Sequence, residues 1–239
     1  GVLFERGAQS FTAVHAEGAA AVARAAAAAG ARVIHVSAIG ADPESPSLYA
    51  RTKAAGEAAV RKTVPDAVVM RPSIVFGPDD DFFNRFAAMA RALPALPLIG
   101  GGTTRFQPVF VTDIAEAVAR AVDGKARPGT TYELGGPEVK TFRELMEYVL
   151  ATIERRRMLV PLPAPIARLK ASVLQFLPKP PLTPDQVTML GIDNVVSRSA
   201  IEEGRTLQGL GIAPTSIEAV VPSYLWRFRK TGQFTSRAA

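Results

Sequence analysis

Tyr49 and Lys53 are the two side chains in this sequence whose types and spacing suit proton transfer. On a helix, a spacing of four places phenol and ammonium on one face, one turn apart. A phenol titrates at about 10 and is a poor base at neutral pH. An adjacent cation favours the phenolate, and a hydroxyl beside it can hold a carbonyl or alkoxide oxygen. Ser37 offers that hydroxyl if the chain returns it to the same place. The three groups together would form a hydride-transfer site. Spacing alone also describes a partly buried tyrosine beside a solvated lysine, so the surrounding elements decide between the two.

Those elements are legible. Arg32 to Ser37 carries a short β-prone run, Val33, Ile34 and Val36, suited to a buried parallel strand, and the stretch Ser47 to Lys62 has helical propensity with a serine cap at its start. A loop between them brings Ser37 toward Tyr49. Upstream, Phe11 to Ala29 reads as an alanine-rich helix with an apolar line through Phe11, Val14, Gly18, Val22, Ala25 and Ala29, suited to packing on a sheet, and Gly30 stops it. Gly1 to Phe4 reads as the end of an interior strand.

Downstream, Ala67 to Arg71 is the next expected parallel strand, ended by the fixed backbone of Pro72. Asp79 to Asp81 caps a helix over 82–93, a better reading of the triplet than a divalent-ion site. Pro94 to Pro97 breaks regular structure ahead of a glycine turn at Gly100 to Gly102, and Arg105, Phe106 and Gln107 bring charge, an aromatic ring and an amide to the mouth of the site. Val109 to Val111 leads into a helix over 114–122 capped by Thr112 or Asp113, with Asp113 a structural acceptor rather than an acid catalyst. Thr130 to Leu134 reads as a strand, and Thr141 with Glu144 forms a capping box. Leu159 to Leu162 marks a change of organisation. Pro165 to Leu177 sets Ile166, Leu169, Val173, Phe176 and Leu177 on one side, with Arg168 and Lys170 available to interfacial water or headgroups; base rates favour a satellite-core helix over a membrane contact. A proline-rich loop over 179–184, a short helix over 185–190, a mixed apolar and basic segment over 217–228 and a loose tail over 231–239 complete the chain.

Composition sets wider bounds. The 239 residues are 48% hydrophobic, enough for a sizeable core with a smaller satellite. Cysteine is absent, which removes disulfides and thiolate chemistry, and His15 and His35 have no acidic cluster near them in sequence to form a structural zinc site. The net charge of +6 lies in the second part: residues 1–139 hold 14 basic and 14 acidic side chains, residues 140–239 hold 14 and 8. A basic face of that kind suits a membrane surface or an acidic protein partner, or is ordinary solvated charge; nucleic acid fits least, for want of a recognition helix or basic-aromatic repeat.

Four ordered motifs carry a resemblance: Ile34 to Asp42 (IHVSAIGAD), Arg71 to Pro78 (RPSIVFGP), Gly100 to Val109 (GGGTTRFQPV) and Tyr132 to Pro137 (YELGGP). With Tyr49 and Lys53 they make the chain resemble the extended or atypical short-chain dehydrogenases/reductases, within which it is most similar to the nucleotide-binding accessory subunits of respiratory complex I and their bacterial relatives. The resemblance implies an α/β fold with a Rossmann-type parallel sheet and a smaller C-terminal region. It implies a core over 1–158 with inserted substrate-side elements and a basic region over 159–239 partly packed back on it.

It further implies that the first strands and the glycine-rich pyrophosphate loop precede Gly1, since no Gly-x-Gly-x-x-Gly run occurs in the sequence. Cofactor-binding candidates are Ser37, Tyr49, Lys53, Arg71, Pro72, Ser73 and Ile74, with NADPH or NADP as the expected nucleotide and NAD as the alternative. The leading functional expectation is a noncatalytic accessory or assembly-stabilising subunit. It would be docked through its C-terminal part to complex I core subunits, peripheral to the cytoplasmic face of a bacterial inner membrane or the mitochondrial matrix side. The alternative is an active NAD(P)-dependent oxidoreductase or nucleotide-sugar epimerase using Ser37, Tyr49 and Lys53 on a small-molecule substrate.

Overall fold

The computed structural model describes residues 1–177 and 180–231; Lys179 of the proline-rich loop and the tail from 232 onward lie outside them. The first helix opens with a π-helical stretch, Thr12–Glu17, and continues as α1, Gly18–Ala28. The site unit follows: β1 Ile34–Val36, α2 Leu48–Thr63 and β2 Val68–Pro72. Next come β3 Val75–Phe76, α3 Phe83–Ala92, β4 Ala95–Ile99, β5 Arg105–Phe106, β6 Val109–Phe110, α4 Val111–Val122 and β7 Thr131–Leu134. The second part holds β8 Lys140–Thr141, α5 Phe142–Thr152, β9 Met158–Leu162, α6 Ala164–Leu174, α7 Pro184–Met189, α8 Arg198–Glu202, α9 Ile217–Val220 and α10 Pro222–Leu225.

Strands β1, β2 and β7 form a parallel sheet in the order β1-β2-β7, with His35 opposite Val69 and Met70 opposite Tyr132. This is an α/β, Rossmann-like fold with a parallel-sheet core and a smaller C-terminal helical region. Parallel strands need helical crossovers, and α2 supplies the one between β1 and β2. One face of the sheet packs Val68, Met70, Tyr132 and Leu134 against Ile114, Ala117 and Ala121 of α4, and Leu207, Leu210 and Ile212 close this cluster from the far end of the chain. A second core gathers Phe76, Phe83, Phe106 and Phe142 with Val221, Leu225 and Phe228.

Four sequence expectations are corrected. The stretch Gly1 to Phe4 is not a strand; its Val2 backbone N–H instead donates to His15 Nε2 at 3.0 Å. The first helix buries Phe11, His15 and Ala23, while Val22 is 65% exposed. The π-helical stretch carries i to i+5 bonding, which turns every later side chain away from the face that a regular 3.6-residue period predicts. That helix packs on α2 rather than on the sheet, so closely that a Cβ on Gly56 would come within 2.1 Å of the His15 carbonyl oxygen.

The proline-interrupted stretches are strands: β4 pairs in parallel with β9, Pro97 opposite Val160 and Leu98 opposite Pro161. Every strand of a two-stranded sheet is an edge, so a missing N–H can point away from the partner. Finally, α4 begins at Val111 with no side-chain cap, because the Asp113 carboxylate accepts instead from Thr215, from N at 2.7 Å and from Oγ1 at 3.0 Å. Asp113 is a structural acceptor as expected, but for a donor 102 residues away and not for its own helix. Asp80 also does as expected, accepting from the backbone N–H groups of Phe83 and Asn84 at the start of α3, and the Thr141–Glu144 capping box is formed.

Candidate functional site

The site lies where β1 ends. Ser47 caps α2, its Oγ accepting from the Ala50 N–H at 3.2 Å, and this fixes the helix that carries Tyr49 and Lys53. The strand and the helix are tied by Lys53, whose Nζ donates to the Val36 carbonyl oxygen at 2.9 Å. Lys53 is 8% exposed, and burial pulls its pKa down against the opposing pull of Glu57. Beside it, Ser37 is buried and its Oγ has no hydrogen-bond partner; His35 Nε2 is likewise unpartnered. The backbone N–H of Ser37 is held by the Met70 carbonyl at 2.7 Å. A buried hydroxyl without a partner is costly, and a ligand oxygen or amide would relieve it.

Tyr49 is half-buried, with its ring edge-on to Phe11 at 5.9 Å and to His15 at 5.2 Å. Burial first, and the Asp185 carboxylate second, push its phenol above the ordinary value. That direction is opposite to the one expected of a phenol activated by a neighbouring ammonium. Asp185, in the first turn of α7, accepts from Leu48 N at 2.7 Å, Ser47 Oγ at 2.8 Å and Tyr49 N at 3.3 Å. It thus places a carboxylate on the positive end of the site helix. A cleft of about 410 Å³ opens beside this contact, lined in part by Phe4, Phe11, Leu48, Arg168, Gln175 and Asp185.

The remaining candidates divide. Arg71 forms a two-pronged ion pair with Glu57 of α2, Nε to Oε1 at 2.9 Å and Nη2 to Oε2 at 2.8 Å. The bond to Glu57 raises its pKa further. Pro72 contributes its carbonyl, which accepts from Ile39 N at 3.0 Å, and Ile74 packs against the phenylalanine core. Ser73 Oγ is 2.6 Å from Asn194 Oδ1 and 2.9 Å from the Asn194 carbonyl, and Asn194 Nδ2 donates to the Ile39 carbonyl at 3.1 Å. Gln107 extends this network, donating to the Gly136 carbonyl at 2.8 Å and accepting from Val196 N at 3.0 Å. Arg105 pairs with Asp193, and Phe106 is buried in the core. The three residues expected at the site's mouth therefore fasten the segment 193–196 across the molecule.

Ser37 follows Val36, the last residue of β1, whose carbonyl Lys53 holds, and Tyr49 lies one helical turn before Lys53 on α2. Asp185, Glu57 and Asn194, which organise these groups, were not identified from the sequence. The Thr183–Gln186 capping box gave a local signal for the helix bearing Asp185, but none for its distant partner.

The chain matches the family model described as the RmlD substrate binding domain over residues 4–176. It is 39% identical over 211 residues to the mitochondrial "NADH dehydrogenase [ubiquinone] 1 alpha subcomplex subunit 9" of Arabidopsis thaliana, covering 84% of this chain and 52% of that protein. It is 40% identical over 115 residues to the "Ceramide reductase" of Caulobacter vibrioides, covering 48% of this chain and 36% of that one. Among solved structures it resembles the dTDP-glucose 4,6-dehydratase DesIV of Streptomyces venezuelae with NAD and TYD bound. The TM-score there is 0.68 at 20% identity, over 95% of this chain and 71% of that chain, a likeness of fold. The chain spans about half the length of the curated relatives it matches.

Proposed function

From a chain that belongs to the RmlD substrate binding domain family, and so to an NAD(P)-binding short-chain dehydrogenase-like fold related to complex I accessory subunits, we propose an NADP(H)-binding accessory or assembly-stabilising subunit. The proposed assembly is respiratory complex I, and the proposed role involves no turnover of this chain's own. The observation that carries the reading is the state of the candidate triad. The Tyr49 phenol is held toward its protonated form by burial and by Asp185, and Lys53 is committed to the Val36 carbonyl. A phenol held protonated is a poor base for an oxidation, and binding does not call on it as one. The 39% identity to the Arabidopsis subunit supports the same reading, with complex I core subunits as the partners. The proposed place is the cytoplasmic face of a bacterial inner membrane, or the matrix side in an organelle.

The residues present fit one end of a dinucleotide. Ser37 Oγ, unpartnered and buried, and Lys53 beside it can hold a carboxamide or ribose hydroxyl, and Pro72 to Ile74 border the same strand ends. A nicotinamide would supply hydride chemistry there in an active enzyme. In this reading the bound nucleotide stabilises the fold by mass action, because it binds the native state and not the unfolded chain. NADPH or NADP is the proposed form, with NAD the alternative.

A second reading is favoured by the retention of Ser37, Tyr49 and Lys53 together with the likeness to the ceramide reductase: an active NAD(P)-dependent oxidoreductase in which Tyr49 transfers a proton and Ser37 orients the reacting oxygen. Tyr49→Phe separates the two. In the accessory reading the variant retains nucleotide affinity and co-purification with the respiratory complex. A substrate-dependent oxidation or reduction present in the wild type and abolished in Y49F overturns that reading.

A further inference from the structure

Helix α6 is inverted relative to an ordinary amphipathic helix of a soluble domain. It buries its small residues, Ala167 and Ala171, against Ile99 and Val187. Its large ones face outward: Ile166 is 48% exposed, Leu169 71%, Val173 69% and, in the turn that follows, Phe176 84%. At about 100° per residue the outward apolar residues lie opposite the two alanines, and Arg168 and Lys170 fall on either flank of the apolar face. The satellite-core role that base rates favour for this segment is therefore not the one its large side chains have.

We infer that this face of α6 docks in the plane of a bilayer surface containing anionic lipid. Two observations select lipid over a protein surface, and a third decides between lying on the bilayer and crossing it. Residues 164–177 contain two basic and no acidic side chains, and neither Arg168 nor Lys170 forms an ion pair among the described residues; Arg168 makes one long contact, Nη2 to Thr188 Oγ1 at 3.4 Å, at the edge of the cleft, and both charges remain uncompensated for phosphate headgroups. The polar side chains on the same stretch are turned inward to their own backbone, Ser172 Oγ donating to the Leu169 carbonyl at 2.8 Å and Gln175 Nε2 to the Ser172 carbonyl at 3.0 Å. A protein interface of registered contacts would use such groups; a fluid apolar phase has no use for them. The helix is eleven residues long, and no helix among the described residues is long and apolar enough to cross a membrane. It would lie in the interface with its apolar side immersed.

The inference goes beyond the accessory-subunit reading and does not depend on it, since a reductase of a membrane-resident substrate could use the same face. The test is co-sedimentation of the chain with vesicles of phosphatidylcholine alone and of phosphatidylcholine mixed in equal parts with phosphatidylglycerol. The expected result is binding to the mixed vesicles that weakens with salt and on the neutral ones. Leu169→Ser, Val173→Ser and Phe176→Ser combined should weaken it by about tenfold or more with the melting temperature unchanged. Arg168→Gln with Lys170→Gln should erase the preference for anionic vesicles.

Three outcomes overturn the inference: no sedimentation of the wild type with either vesicle, equal sedimentation of the triple variant, or a lowered melting temperature in that variant, which would place the side chains in the core. Loss of co-purification with the respiratory complex by a folded triple variant, without wild-type vesicle binding, assigns the face to a protein instead. The nucleotide titration and the Y49F comparison are untouched by any of these results.

Discussion

The Lys53 ammonium lies 2.9 Å from the Val36 carbonyl oxygen, which makes the lysine a tie between the site helix and the last residue of β1. A lysine this buried keeps its charge by being bonded, and Glu57 one turn further along α2 helps to hold it. Lys53→Met removes the donor and leaves the helix unfastened from the strand. The expected loss is about 1–3 kcal/mol, read as a shift in the denaturation midpoint, together with weaker nucleotide binding. A variant as stable as the wild type would remove the tie from the account of the fold.

Arg71 and Glu57 form a second tie, between β2 and the same helix. Arg71→Met strands a carboxylate that is only 8% exposed. Removing one partner of such a pair costs about 3–5 kcal/mol, and thermal unfolding should register it. The paired replacement of Arg71 by Met and Glu57 by Leu should recover part of that loss, because the stranded carboxylate is gone, but not all of it, because Lys53 then loses the support of Glu57.

Asp185 offers a test on the site itself. Asp185→Asn keeps an acceptor for the Leu48 N–H but removes the negative charge from the start of α2, at an expected cost of about 1–2 kcal/mol. The same substitution removes one of the two influences that hold the Tyr49 phenol high. Its pKa should fall, as followed by NMR of ring-labelled tyrosine. An unchanged Tyr49 titration would detach Asp185 from the electrostatics of the site.

His15 predicts a pH dependence. Its Nε2 accepts from Val2 N–H, so Nδ1 carries the proton and donates to Thr52 Oγ1 at 3.0 Å, which donates in turn to the backbone of α2. Burial, helped by the Lys53 charge, lowers its pKa from 6.5 to about 4. A histidine whose folded pKa is depressed contributes stability that is whole above 6.5 and drains away as pH falls toward 4. The loss over that window is roughly 3 kcal/mol at most. Melting temperatures of the wild type and His15→Gln, compared between pH 7 and about pH 4, should converge as the pH drops. Parallel curves would mean that His15 does not titrate in the folded protein.

The local rules of the chain were readable where a residue's job is done by its sequence neighbours. The apolar run before Ser37, the Ser47 cap and the Thr141 capping box are of this kind, and they placed β1, α2 and α5 within a residue or two. Two kinds of feature were hidden. One is geometry that overrides periodicity: the π-helical stretch turns the buried face of the first helix, and paired edges accept Pro97 and Pro161 as strand residues. The other is partnership at long range. Nothing near Asp185 announces the helix it caps, and nothing near Asn194 announces Ser73. The direction of α6 was obscure for a third reason, because a stripe of large apolar residues looks the same whether it faces a core or a bilayer.

The fastening of Ser73 to Asn194 spans 121 residues, and that of Leu48 to Asp185 spans 137. At a ribosome's pace of roughly 5–20 residues per second, each partner emerges on the order of ten seconds after the group that waits for it. Through that interval the start of α2 lacks its acceptor, and Phe76, Phe83 and Phe142 lack the cover of Val221, Leu225 and Phe228. Until those partners arrive, the start of α2 and the phenylalanine core stay open to water.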